Sequence, residues 1–452
     1  MTLAYSFVCS IYVVGLLASV VLWLKKASCY CTAFCMVLCM PGFGCCCRSA
    51  ELVDVGTTCC VAGLYCCCSS ANVGRLPLKD CSRCRELLRS WKTYLAPKRS
   101  TIEAIHLQFI PGINTRIASA SEVVPLAIQV TVFGCGGVAV GSQYLHKTFD
   151  GASWGNFLNT WAAVANHQVD QKIVKPDFAT AISLFPPCTW ASKRSSKILT
   201  TRALDRGNHE DEDDETCVLK ALVFTPEAIA KLQAMAKSEL VYNPTRIEAL
   251  SAFIWKHAMA AAAAVTAAAC KSKVNVIGPS VLIHSVNIRP RTNPPIPSTA
   301  IGNLIIHAYA SYKEENQPIS AVDLKDLVAE TRKGLSEAKD PEFLSKFKGE
   351  KGAKAMRQHK QKVVDISKDK NINTYKFTSW SKLDVLPNFG FIGMPVWIGF
   401  TGGKLSSLFK NLITMIEIPD CGGIEIWLII DKQEMSVLQT SAEFLVFASL
   451  IS

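Results

Sequence analysis

His146-Lys147-Thr148-Phe149-Asp150-Gly151, an H-x-x-x-D-G stretch at the end of an apolar run, decides how this chain reads. Upstream, residues 126–133 and 138–145 are strand-forming runs separated by Gly134-Cys135-Gly136-Gly137, which predicts a β-hairpin. A phosphate-binding glycine loop is the sharper alternative for that turn, but G-x-G-G lacks the G-x-G-x-x-G spacing and an immediate helix. Downstream, Ser153–Ala165 carries Trp154, Phe157, Leu158 and Trp161 on one side, as a half-buried helix does. His146 therefore sits between a strand and a helix. An imidazole there titrates near neutral pH and can take a proton from a bound hydroxyl.

Working outward, Arg202–Glu215, with residues 210–215 all acidic, reads as a solvated connector and a domain boundary. Thr245 and Glu248 form a Thr-x-x-Glu capping box that opens an alanine-rich helix through Ala269. Val281–Ile288 reads as a buried strand and Ala321–Ala338 as an amphipathic helix. Late strands are expected at Thr374–Ser379, Val396–Phe400, Leu412–Ile418 and Gly423–Ile430, with a final helix over Glu434–Leu450. Strands and helices alternate without a strict βαβ rhythm, so the fold class is mixed α/β with two sheets. At 452 residues the chain suits two domains able to exclude water from a cleft between them.

Charge and cysteine single out the first hundred residues. They carry 11 Lys/Arg against 4 Asp/Glu, most of the formal net charge of +11, and 15 of the 20 cysteines lie between Cys9 and Cys84. The scattered later cysteines fit a reducing cytosol. Leu3–Leu24 is an uncharged run of 22 residues followed by Lys25-Lys26. As a helix it would reach about 33 Å, enough to span a bilayer with the body of the protein on the cytosolic side. Cys81-x-x-Cys84 lacks a second ligand couple for zinc, while the membrane-proximal cysteines also admit lipidation. No convincing strand or helix period precedes residue 100, and a mis-joined gene model accounts for residues 1–100 as well as an anchor does. Farther on, Lys346–Lys370 holds 9 Lys/Arg against 3 Asp/Glu, which reads as a solvated helix face or as a surface steering a polyanion such as coenzyme A. None of this charge implies nucleic-acid binding.

The set Leu126-Ala-Ile-Gln-Val, Gly136-Gly137-Val-Ala-Val-Gly, His146–Gly151, Asn243-Pro-Thr-Arg-Ile-Glu-Ala-Leu, Val286-Asn287-Ile-Arg289-Pro-Arg291, Gly302-Asn303, Thr378-Ser379-Trp380 and Asp431-Lys-Gln-Glu-Met resembles the plant BAHD acyl-CoA-dependent acyltransferases, in the vinorine synthase-like branch. The likeness runs from about Pro125 to the C-terminus. It implies a two-domain, chloramphenicol-acetyltransferase-like fold: mixed sheets with flanking helices and a channel between the domains. By that likeness residues 101–200 form the N-terminal domain, 201–216 a connector and 217–452 the C-terminal domain, with part of 371–395 packing on the first. His146 matches the general base. Asp150, with Gly151, matches an architectural position, its carboxylate paired with an arginine for which Arg289 is the candidate. Thr378 or Ser379, before Trp380, matches a channel-lining hydroxyl able to donate to an oxyanion.

The implied activity is acyl transfer, of acetyl or a similar group, from acyl-CoA as cosubstrate to the hydroxyl of a small plant metabolite. No metal or resident cofactor is expected, and the protein is expected to be a cytoplasmic monomer. The family's second signature, usually D-F-G-W-G, is altered to Asn388-Phe389-Gly390-Phe391, where an amide keeps a hydrogen bond but not a salt bridge. That change and Leu3–Leu24 motivate the alternative, a catalytically impaired, membrane-anchored relative. A serine hydrolase is the other rival, since Gly151-Ala-Ser153-Trp-Gly155 is a literal G-x-S-x-G. Its serine falls inside the predicted helix instead of at a strand-to-helix elbow.

Overall fold

The computed structural model describes residues 31–38, 109–110, 126–132, 138–146, 148–166, 173, 175–186, 216–272, 276–314, 317–369, 371–383, 385–390, 393–401, 409–418 and 422–451. The run Leu3–Leu24, the cysteines at 45–47, 66–68, 81 and 84, and the acidic connector fall outside these residues.

The N-terminal lobe contains β1 (Cys31–Leu38), β2 (Leu126–Val132), β3 (Val138–Leu145), α1 (Gly151–Ala165) and α2 (Ala179–Leu184). β2 and β3 pair antiparallel, Val132 opposite Val138, as their sequence predicts. β1 corrects the sequence reading, which found no convincing strand before residue 100 and only the apolar run Leu3–Leu24 as a candidate helix. It pairs antiparallel with β3 on one side and with Pro395–Thr401 on the other, so Phe34 lies opposite both Ser142 and Phe400. Its sequence, CTAFCMVL, is apolar at almost every position, and such a strand leaves no alternation to read.

The C-terminal lobe runs through β4 (Cys217–Phe224), α3 (Pro226–Met235), α4 (Arg246–Ala269), β5 (Val276–Ile277), β6 (Ser280–Asn287), β7 (Ile305–Tyr312), β8 (Gln317–Pro318), α5 (Leu324–Lys339), α6 (Pro341–Ser345) and α7 (Gly349–Lys368). It continues with β9 (Asn373–Ser379), β10 (Pro395–Thr401), β11 (Leu412–Glu417), β12 (Ile424–Asp431), α8 (Lys432–Thr440), α9 (Ala442–Leu445) and β13 (Ala448–Ile451). Seven strands form one sheet in the order β13-β4-β12-β11-β9-β6-β7, while β10 crosses to the sheet of the first lobe.

The capping box forms as read: Thr245 is the N-cap of α4, and its amide donates to Glu248 Oε2 at 2.8 Å. α4 is long and apolar enough to cross a membrane, but most of its apolar stretch is buried inside the protein. Its apolar side chains join Phe377, Ile413, Met415 and Leu428 on one face of the large sheet. The opposite face presents Ala221, Ile416 and Trp427 to Leu126, Val140, Tyr144, Trp154 and Leu158 of the first lobe. Burial on both faces explains why Ile426–Ile430 of β12 reads as an unbroken apolar run.

The expected final helix over Glu434–Leu450 is the second correction. α8 stops at Thr440, Ser441 caps the short α9, and β13 turns back to pair with β4, Leu450 opposite Leu222. The edge of β4 supplies backbone partners that local helical preference cannot weigh.

Candidate active site

His146 occupies the turn that follows β3 and is half-buried. Its backbone carbonyl accepts from the side-chain amide of Asn303, in the segment leading into β7, so the strand exit of one lobe is tied to the other lobe. Its ring lies 6.1 Å from that of Tyr144, two residues back on β3. Tyr144 is buried and stacks on Trp154 of α1 at 4.6 Å. Burial, reinforced by the nearby Asp150 carboxylate, pushes its hydroxyl far up, so it stays protonated.

Asp150 is the N-cap of α1, and Oδ1 accepts from the amide of Ser153 at 2.9 Å. The same carboxylate is gripped by Arg289, Nη1 to Oδ2 at 2.7 Å and Nη2 to Oδ1 at 3.1 Å. Oδ2 also accepts from the amide of Leu304 at 2.9 Å. Asp150 and Arg289 are 3% and 2% exposed, so neither charge has water to fall back on. The guanidinium spends its remaining donors on Asn287 Oδ1, Ser153 Oγ and the carbonyls of Ala300 and Gly302. Every oxygen here faces inward to the arginine, which fixes helix α1, the residues after β6 and the approach to β7 as one unit. Ser153 is fully buried in this network, also donating to the Gly302 carbonyl at 3.2 Å, and cannot serve as the exposed nucleophile of a hydrolase.

A family model described as the Transferase family matches residues 100–445 of this chain. Akuammiline synthase 2 of Alstonia scholaris is 30% identical over 354 residues, covering 78% of this chain and 74% of that protein.

The chain belongs to the Transferase family.

It is an acyl-CoA acyltransferase of the BAHD type acting on a small-molecule acceptor. Stemmadenine O-acetyltransferase of Catharanthus roseus is 29% identical to the acyltransferase over 343 residues, 75% of this chain and 70% of that one. The crystal structure of vinorine synthase superposes with a TM-score of 0.58 at 23% identity, over 94% of this chain and 92% of that chain. This likeness establishes the two-lobed α/β fold.

The remaining positions named from the sequence fall around the lobe interface. Trp380 is buried among Phe149, Trp154 and Leu158. A Cβ on Gly151 would stand 2.6 Å from Leu383 Cδ1 and 3.6 Å from Trp380 Nε1, so the first residue of α1 packs against the segment after β9. Side chains alternate along a strand, which puts Thr378 on the face of Trp380 and Ser379 on the opposite face with Phe377. The Ser379 hydroxyl meets that of Ser381 at 3.0 Å. Asn388 and Gly390 lie farther off, at the other end of α1. Asn388 Oδ1 accepts from the Gly390 amide at 2.9 Å, and its carbonyl accepts from the side chain of Asn166, the C-cap of α1, at 2.6 Å. Phe389 stands edge-on to Trp161 at 5.2 Å.

Two features were not read from the sequence of the acyltransferase. Asn303 is part of a recognised Gly-Asn pair, yet nothing in one dimension ties its amide to His146. Glu425 on β12 lies on the lobe-facing side with Trp427, and burial pushes its carboxyl up to about 7. Alternation along β12 is the signal that places it there, though the apolar run obscures it. A cavity of about 560 Å³ opens beside Gly302 and Asn303, walled by α2 and α7. Among the described residues no group of His, Cys, Asp and Glu is arranged to hold a metal ion.

Proposed function

We propose that the protein moves an acyl group, acetyl or similar, from the thioester of acyl-CoA to a hydroxyl of a plant specialised metabolite, with His146 as general base. The observation that carries this reading is the rigid frame around His146. A residue in a turn is held from both lobes, through Asn303 on its own carbonyl and through the Asp150–Arg289 pair four residues on. That frame supports a base held in place while substrates come and go.

In the reaction the acceptor hydroxyl attacks the thioester carbon as the His146 imidazole takes its proton, a service worth about 10²–10⁴-fold. The tetrahedral oxyanion needs a donor in a water-poor site, worth about 10²–10³-fold. Thr378, on the Trp380 face, suits that role better than Ser379, whose hydroxyl meets Ser381. Collapse of the intermediate breaks the C–S bond, and the imidazolium returns the proton to the departing coenzyme A thiolate. Acyl-CoA is consumed as cosubstrate. Asp150 and Arg289, spent on each other and on backbone groups, hold the frame and take no part in proton transfer. The naming of stemmadenine O-acetyltransferase supports an acetyl donor and an oxygen acceptor.

Against the reading of an impaired, membrane-anchored relative stands the Asn388 turn, which is closed by its own side chain and by Asn166. The other ground for that reading, Leu3–Leu24, lies outside the described residues. The deciding experiment is a free-thiol release assay with acetyl-CoA over a panel of plant alcohols, with His146→Ala as control. Acceptor-dependent release that falls by about 10²–10⁴-fold in the variant, with unchanged thermal stability, is expected. Release no greater than in the variant would end the proposal.

A further inference from the structure

Two helices wall the cavity beside Asn303, and neither is packed as a core helix is. α2 buries none of its residues and α7 buries Gly352 alone of its 20, whereas α5 buries seven of 16. One stripe of α7, made of Gly352, Ala355 and His359, lies against the protein. The neighbouring stripe, Ala353, Met356, Lys360 and Val364, borders the cavity instead. Val364 of α7 and Ile182 of α2 both line that space and are each 39% exposed, so apolar surface on the two walls is still wet. Phe185, Leu304 and Phe347 extend the apolar lining. Arg357 and Lys360 are exposed, which leaves their charges in water.

The hold of α7 on the large sheet is slender. His359 Nε2 accepts from the backbone amide of His307 at 3.3 Å, beside the Tyr309 hydroxyl at 3.5 Å, and Lys362 lies over the Tyr309 ring at 4.8 Å. At its N-terminal end α7 has no side-chain cap, and Gly349 has φ +69 with nothing within 4 Å of where a Cβ would stand. Such a joint turns at little cost. Gly352, where a Cβ would meet the Phe347 carbonyl at 2.1 Å, keeps the start of the helix in place.

We propose that α7 is a movable wall, which swings from β7 to admit the uncharged, apolar skeleton of an acceptor alcohol and settles back over it, with His359 as the positioning residue that holds the closed state. The proposal rests on the acyl-transfer reading and adds to it the class of acceptor and its route of entry. Asn303 lines the cavity and donates to the His146 carbonyl, so a ligand there lies beside the turn that bears the base. About 560 Å³ of mostly apolar space is the scale of a polycyclic metabolite. Closing α7 on such a ligand covers Ile182 and Val364 together with the ligand's own apolar surface. The ligand then supplies the burial that both helices lack.

The test is hydrogen exchange on the full chain, with dehydroabietinol, a neutral tricyclic alcohol, as the probe. In the free protein the α7 amides are expected to exchange at least about tenfold faster than those of α5, and the alcohol should slow α7 by at least about fivefold while leaving α5 unchanged. His359→Ala should speed α7 exchange by about tenfold. His359→Gln, whose amide oxygen can still accept from the His307 amide, should restore much of the protection. Ala353→Trp fills the cavity and should abolish the effect of the alcohol. The proposal is overturned if α7 is as protected as α5 in the free protein, or if the alcohol leaves α7 exchange unchanged. It is also overturned if the alcohol slows α7 equally in Ala353→Trp, or if His359→Ala exchanges as the wild type does. Exchange is read without acetyl-CoA, so a failure of acyl transfer in the thiol assay registers separately from a failure of α7 to move.

Discussion

Arg289 holds Asp150 by two hydrogen bonds, Nη1 at 2.7 Å from Oδ2 and Nη2 at 3.1 Å from Oδ1, across 139 residues of sequence. Removing one partner strands the other charge without water. Asp150→Ala or Arg289→Ala should therefore cost about 3–5 kcal/mol of stability, measured by chemical denaturation. Arg289→Lys should recover only part of that loss, because an ammonium cannot serve the carboxylate and the Ala300 and Gly302 carbonyls from one planar fork. Full recovery by lysine would show that charge alone matters there.

Asn303→Ala removes the amide that donates to the His146 carbonyl. The lost hydrogen bond should lower stability by only about 1 kcal/mol. Acyl transfer should fall by about tenfold, because the turn bearing the base is released from the opposite lobe. An activity loss no larger than the loss of folded protein would reduce Asn303 to a structural contact.

Gly390 has φ +63, and a Cβ there would stand 2.0 Å from Asn166 Oδ1. Gly390→Ala must strain the backbone and push Asn166 from the Asn388 carbonyl, at a cost of about 1–3 kcal/mol. Asn388→Asp keeps the bond to the Gly390 amide with a charged acceptor and should be neutral or slightly stabilising in a thermal melt.

Burial lowers the pKa of both His284 and His307 to about 4, in each case helped by nearby cationic side chains. Between about pH 6.5 and 4 the unfolded chain binds protons that these folded imidazoles refuse, so stability falls as pH drops through that window. Thermal melts across it should show the loss. His307→Gln should flatten part of the slope, and an unchanged slope would remove His307 as a contributor.

Glu425 behaves oppositely, because burial raises its carboxyl to about 7. The folded protein holds this proton more tightly than the unfolded chain, so its contribution is present below about pH 4.5 and is lost as pH rises toward 7. Glu425→Gln should stabilise the protein by about 1–3 kcal/mol at pH 8 and hardly at all at pH 4.5. Equal effects at both pH values would rule out ionisation as the cause.

Much of the site could be read from local pattern. His146 at a strand exit, Asp150 ahead of a helix, and the Thr245–Glu248 box are short-range features, settled by chain direction and backbone donors within a few residues. Ser379 shows the limit of that reading. It and Thr378 are adjacent and chemically alike, and only the burial of Trp380 on one face and Phe377 on the other separates their roles. β1 and β13 show the same limit for the fold, since both take their form from the edges of strands far away in sequence.

The amino-acid sequence by itself determined the family, the mixed α/β class and the residue type able to move a proton at His146, because these follow from motif order, hydrophobic period and side-chain chemistry. The tertiary structure alone decided what holds that residue. The Asn303 donor and the Arg289 fork each join segments distant along the chain. Their strength comes from desolvation and from distances of a few ångströms, which exist only once the two lobes have closed on each other.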